Sequence, residues 1–475
     1  MKIKTLPFII YSFILISFSY TLDGDMNDFF LPNGLKVILM EKHAAPKAAV
    51  SFFYNVGSHD EMEGQKGITN LVLDIIREGT SKNPRLEVEN KLSKLQVEMK
   101  ADVGHDKTHI TLDVPIENIE FVLELGSDVM QNIIVTEDIL NNAKDRYKAR
   151  FSSFTNQPFN PPSSGKNQYF DMLMLHGMIP EGHPYKTSPW GILEQFDTLS
   201  VQTCQLYLNT YFAPNNAVLI IVGNIIPEDV TKVLYQYFSK PASAEAIPPD
   251  PDLTFMNKPD KIIKFHLTEK TVPYISIIGV NFICPSKRHD DAIILSHLNE
   301  ILWRDISLPG DISNMFTKNN RLLTWGPFPY FFSPLGSGIF GVAGFNIFRN
   351  GSLNKIQKNI LETFEFIGDN GIGEEVLNQH KKYKLLENYI DGYSYFNIAY
   401  QLGYAEIIYG DYRTYNREIE ILKNLSNEDI KRVVNTYLIS DNMFTWHVTL
   451  NEKSWYTPIA SFFFNIVTIF WTPPL

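Results

Sequence analysis

His105 and His109 stand four residues apart, the spacing at which two imidazoles on one helix face can share a metal ion. The stretch around the second of them, Thr108 to Val114, reads as a strand, and helical spacing is what the pair would need. Both are read as structural. Gly336-x-Gly338-x-x-Gly341 matches a dinucleotide fingerprint by letter. It runs into Val342-Ala343-Gly344-Phe345, a strand where that motif requires a helix, so turns and close strand packing explain it better. Cys204 and Cys284 are the only cysteines. They exclude a disulfide framework and a Cys-rich metal site, and both read as buried thiols. Any metal site must therefore be built from His and carboxylates. His183-Pro184-Tyr185 reads as a structural turn. Phe328 to Phe332 reads as core, with a chamber wall for extended peptides as the functional alternative.

One helix presents polar groups on a defined face. Ile68, Leu71, Val72, Ile75 and Ile76 fall on one side of a helix over 68–78, and Gly79 is placed to end it. Asn70, Leu73, Asp74 and Arg77 fall on the other side. Strands are expected at 35–40, 48–55, 108–114 and 217–222, where apolar residues run together or alternate. Others are expected at 274–280 and 443–450, with a helix over 290–303.

The balance of 42 Lys+Arg against 53 Asp+Glu gives a net charge of -11 over 475 residues. That argues against a nucleic-acid binder, which needs basic surface to displace counterions. With 44% hydrophobic and 20% charged residues the chain is globular. Met1-Lys2-Ile3-Lys4, the apolar run from Leu6 to Tyr20 and a polar exit have the layout of a secretory signal, expected over 1–22. Export to a bacterial periplasm fits two cysteines. The apolar tail, 453–475, is expected to pack on the protein, with membrane-surface contact second; Ile459 to Trp471 is too short to span a bilayer as a helix.

An internal repeat sets the organisation. Leu199-Ser200, Asn209-Thr210-Tyr211 and Asn216 recur as Leu425-Ser426, Asn435-Thr436-Tyr437 and Asn442, all at an offset of 226 positions. Asn55 and Asn281 share it. The chain is thus expected to be two copies of one α+β unit, over 29–239 and 261–452. Between them, 240–260 carries five prolines and reads as a stiff linker.

Further residues give a family resemblance. Leu31-Pro32-Asn33-Gly34-Leu35, Tyr54-Asn55-Val56-Gly57-Ser58, Gly67-Ile68-Thr69-Asn70-Leu71-Val72-Leu73-Asp74 and Glu78-Gly79-Thr80 resemble the opening of the pitrilysin/insulinase family, in its mitochondrial-processing-peptidase-like branch. His183-Pro184-Tyr185, Trp190-Gly191 and Tyr211-Phe212-Ala213-Pro214-Asn215-Asn216 extend the likeness. The resemblance implies two homologous halves, each a mostly antiparallel sheet with helices packed on it, together forming half of a clam-like chamber. It also implies a helix bearing His-x-x-Glu-His, which binds zinc and supplies a general base, and a third ligand, a Glu on a later helix. The matching positions here are Asn70, Leu73 and Asp74, with Arg150 at the third ligand. An amide is a poor zinc ligand, Leu73 cannot accept a proton, and Arg150 would repel the ion. No metal is therefore expected, although zinc is the family's cofactor. Arg150 is expected to pair with Asp74 instead. Lys318 and Trp325 match an Arg and a Tyr that hold substrate in active members.

The resulting expectation is an exported, non-catalytic subunit. It would pair with a zinc-bearing homologue and build half of its chamber for extended peptides. A stand-alone peptide-binding or scaffold protein is the first alternative. An active zinc endopeptidase with an unorthodox site using Asp74 is the second.

Overall fold

The computed structural model describes residues 26–155, 179–180, 182–254, 261–265, 275–304, 308–318, 325–347 and 353–450. The expected secretory signal, the apolar tail and linker residues 255–260 lie outside the described residues.

The first half begins with β1 (Met26–Phe30), β2 (Lys36–Glu41) and β3 (Lys47–Tyr54), followed by α1 (Ile68–Glu78) and α2 (Arg85–Lys94). Next come β4 (Glu98–Val103), β5 (Thr108–Pro115), α3 (Ile119–Asn132) and α4 (Glu137–Thr155). It closes with α5 (Val201–Tyr211), β6 (Ala217–Gly223) and α6 (Pro227–Phe238). The second half carries β7 (Lys261–Phe265), β8 (Ile275–Cys284), α7 (Asp290–Arg304), α8 (Gly310–Lys318), β9 (Trp325–Phe332) and β10 (Gly338–Ile347). After these follow α9 (Leu353–Asn370), α10 (Glu374–Asp391), α11 (Tyr395–Tyr409), α12 (Arg417–Asn424), α13 (Asn427–Tyr437) and β11 (Met443–Leu450).

The two sheets repeat one another. The first has the order β1-β2-β6-β3-β5-β4, and the second β7-β11-β8-β10-β9. Each is antiparallel except for one parallel pair, β2 with β6 and β7 with β11. The residues shared at the 226 offset are those that shape the repeated turn. Ser200 and Ser426 cap α5 and α13 through their hydroxyls, each accepting from the backbone N–H three residues on. The side-chain amide of Asn216 donates to the Tyr211 carbonyl at 2.8 Å, and that of Asn442 to the Tyr437 carbonyl at 3.3 Å. Both bonds tie a helix end to the strand that follows it.

Period-two burial shows why β3 and β6 read as continuous apolar runs. Val50, Phe52 and Tyr54 of β3 and Leu219 and Ile221 of β6 enter a core built by α1, α3, α5 and α6. Ala49, Phe53, Val218, Ile220 and Val222 face the opposite way. That second face is covered by α11, a helix of the other half, through Tyr395, Ile398, Ala399 and Leu402. Gly403 lets it come close: a Cβ there would sit 2.3 Å from the Phe53 ring. The Tyr395 hydroxyl, donating to the Lys42 carbonyl at 2.8 Å and accepting from the Ala45 N–H at 2.9 Å, fixes its start.

Candidate functional site

The start of α1 is held by a buried acid. Glu61 accepts from the Gly67 N–H at 2.7 Å and the Thr69 N–H at 3.0 Å, satisfying donors that a helix N-terminus leaves open. Gly67, at φ +99°, lies against Gly191, where a Cβ would meet the Gly67 Cα at 2.3 Å. This contact docks the Trp190-Gly191 segment on the helix. Burial raises the Glu61 carboxyl from 4.5 to about 7, against the pull of those two N–H groups.

With its start fixed, α1 buries Ile68, Leu71, Val72, Ile75 and Ile76 in the first core and turns Asn70 toward the 188–191 loop and Asp74 toward α4, with Leu73 between them in the chain. All three are buried. The Asn70 side-chain amide donates to the Pro189 carbonyl at 2.6 Å. Arg150, on α4, donates to the Asp74 carboxylate, and Arg77 stands 3.4 Å from its other oxygen. The Arg150 guanidinium also lies over the Trp190 ring at 5.9 Å. Burial pushes the Asp74 carboxyl upward, and Arg150, Arg77 and Arg146 oppose that shift. Next to this pair, Arg146 binds Glu78 at the end of α1.

This donor set does not fit zinc. Asn70 offers only a neutral amide oxygen, Leu73 has no donor atom, and Asp74 is engaged by two guanidiniums. Among the described residues, no group of three His, Cys, Asp or Glu ligand atoms includes Asp74. Lys318 ends α8 and Trp325 begins β9, opposite Phe345 in the ladder; their side chains lie outside the described residues.

The other sequence candidates are structural. His105 and His109 do not converge. The His105 ring contacts the Ser58 hydroxyl at 3.0 Å, whereas His109 stacks on Phe53 at 5.2 Å. Gly338 and Gly341 lie in β10, so no helix follows the glycine run. Cys204 and Cys284 are buried free thiols, and burial pushes the first up to about 11. Of the aromatic run, Phe331 packs on Phe340 and Phe332 meets Tyr185 edge-on.

His183-Pro184-Tyr185 forms a turn in which the His183 Nδ1 accepts from the Tyr185 N–H at 3.1 Å. That turn feeds a cluster the sequence did not disclose. The Tyr185 hydroxyl donates to Asp106 at 2.7 Å, and Lys287, from the second half, reaches the same carboxylate at 2.8 Å. Burial works to raise the Asp106 carboxyl, but Lys287 and the Tyr185 hydroxyl outweigh it and hold the group below its usual range. These partners lie on three distant stretches, so no local spacing announced them.

Residues 36–162 match the model described as "Insulinase (Peptidase family M16)", and residues 198–384 match "Peptidase M16 inactive domain". The chain belongs to the insulinase family. Among curated proteins it resembles the zinc protease PqqE of Helicobacter pylori, 21% identical over 277 residues, which are 57% of this chain and 60% of that protein. It spans less than half the length of the next two curated relatives it matches. Among solved structures, a protease from Helicobacter pylori superposes with a TM-score of 0.75 at 18% identity, covering 90% of this chain and 100% of that one. The first half of the periplasmic protease PqqL from Escherichia coli gives 0.65 at 13% identity, covering 93% and 96%. Both establish the α+β half-chamber fold of paired homologous units.

Proposed function

We propose that this family member is a non-catalytic, exported subunit that pairs with a zinc-bearing homologue and supplies half of its peptide chamber. The observation that carries the reading is the Arg150–Asp74 ion pair, formed by two residues that the resemblance matches to the family's metal ligands. A guanidinium puts a fixed positive charge there, and Leu73, the match to the family's general base, cannot accept a proton. The likeness to the first half of a periplasmic protease supports both pairing and export.

Mixing provides the test. The purified chain, supplied with zinc, is expected to cleave no unstructured peptide. With an intact His-x-x-Glu-His homologue from the same cell it is expected to form a stable complex that cleaves faster than the homologue alone. Zinc-dependent cleavage by the lone chain, abolished by Asp74→Asn, would overturn the reading.

One feature supports a stand-alone peptide-binding role as a second reading. β4 is an edge strand with Glu98, Met99 and Lys100 exposed, so its outer backbone can accept an added strand. Tight peptide binding by the lone chain, unchanged by the homologue, would favour it.

A further inference from the structure

The second half contains a set of side chains to which nothing above assigns a role. His297 and Glu300 lie three residues apart on α7, so they share a face one turn apart. α10 crosses that face and places His380 against them, its Nε2 3.2 Å from the His297 Nδ1. One ligand atom from each of the three lies within 4.8 Å of the others. We propose that His297, Glu300 and His380 form a binding site for a divalent transition-metal ion of the zinc class, separate from the degenerate position in the first half.

The geometry suits such an ion. Bonds of about 2.0–2.1 Å in tetrahedral arrangement hold ligand atoms roughly 3.3 Å apart, close to the imidazole separation seen here. Two imidazoles and one carboxylate select zinc, cobalt or nickel over calcium or magnesium, which prefer oxygen. His297 and His380 are each 7% exposed.

One ligand atom of the trio, Glu300 Oε2, is buried without a hydrogen-bond partner among the described residues. Buried polar atoms are ordinarily satisfied, and a metal ion or its bound water would supply what is missing. Glu300 keeps its other oxygen for Lys384, whose Nζ is 3.3 Å from Oε1 and 2.7 Å from Glu387. The lysine therefore neutralises the acid while the site is empty and retains Glu387 when it fills. His297, Glu300 and Lys384 also line a cavity of about 450 Å³, which gives an entry path and space for a water ligand.

The fold repeat gives the site its context. Glu300 lies 226 positions after Asp74, and α7 corresponds to α1. Each half thus pairs an acid of that helix with a base from a later one, Asp74 with Arg150 and Glu300 with Lys384. Two guanidiniums engage both oxygens of Asp74, whereas the single ammonium at Glu300 leaves one oxygen open beside two imidazoles.

The full chain, stripped with a chelator and titrated with Co²⁺ and then Zn²⁺, tests this. One equivalent of Co²⁺ is expected to give the visible absorption of a tetrahedral centre and to be displaced by Zn²⁺. His380→Gln and Glu300→Gln are each expected to weaken binding by at least about tenfold, the scale of losing a well-placed partner at a metal site. Asp74→Asn is expected to leave binding unchanged. Should one glutamine variant fail to fold, the other carries the comparison. Absence of stoichiometric binding, or binding indifferent to both glutamine variants, would overturn the site. Binding lost in Asp74→Asn would instead move the metal to the first half and sink the proposed function.

Discussion

Arg150 on α4 donates to the carboxylate of Asp74 on α1, so that two helices which in zinc-bearing relatives are expected to meet at a metal meet here at an ion pair. Asp74 is nearly inaccessible, whereas the Arg150 side chain is 37% exposed. Water therefore screens one partner, and the pair contributes less than a fully buried one.

Removing Arg150 alone strands a buried carboxylate beside Arg77. Arg150→Met is expected to destabilise the chain by about 1–2 kcal/mol. Asp74→Asn combined with Arg150→Met is expected to cost less than the sum of the single changes. Urea unfolding of the three variants measures both; strict additivity would show that the pair contributes nothing.

Rebuilding the family motif tests what the first half has lost. A variant carrying Asn70→His, Leu73→Glu, Asp74→His and Arg150→Glu is expected to bind one equivalent of zinc more than the parent. Elemental analysis after gel filtration reads this, and an unchanged zinc content in a folded variant counts against the assigned positions.

Glu61 predicts a specific pH dependence. A carboxyl whose folded value exceeds its unfolded one binds its proton more tightly when folded. Its contribution is fully present below about pH 4.5 and is lost as pH rises through about 7. Relative to Glu61→Gln, the parent is expected to lose at most about 3 kcal/mol between pH 4.5 and 7.5. Parallel denaturation curves for the two proteins across that range would refute it.

His109 acts with the opposite sign. Burial against Phe53 and Tyr400 lowers it to about 3, so it folds neutral. The stability it allows is present above about pH 6.5 and declines as pH falls toward 3. His109→Phe keeps the aromatic packing and removes the titration. Its melting temperature is expected to fall less than the parent's on acidification from pH 7 to 4.5.

Gly403→Ala probes the join between the halves. The added methyl meets the Phe53 ring at 2.3 Å, and both neighbours are packed. A loss of about 1–3 kcal/mol is expected, the cost of overpacking, despite alanine's better helix propensity. Thermal melting reads the sign, and a stabilised variant would show that α11 is free to shift.

Much of the architecture was legible because its determinants are local. Apolar runs gave β2, β3 and β6, the stripe from Ile68 to Ile76 gave α1, and the shared Ser and Asn residues exposed the duplication through the caps and turns they build. The ion pair at Asp74 was legible because each partner matched a family position. What escaped depends on distance along the chain. α11 carries apolar or aromatic residues on most of its faces, so no stripe reveals that it covers the other half's sheet. Lys287 and Asp106 sit in different halves. His297-x-x-Glu300 carried a readable helical spacing, but its third member lies 83 residues away on another helix.

The placement of α11 bears on how such a duplicated chain can change over generations. Each half looks like a unit that a gene could lose or trade. Yet the first sheet borrows one of its walls from the second half, so a copy cut down to its first half would present Phe53, Ile220 and Val222 to water. The first copy has become dependent on the second. Divergence is left to alter single positions, as at Asp74 and Glu300, more readily than to discard a half.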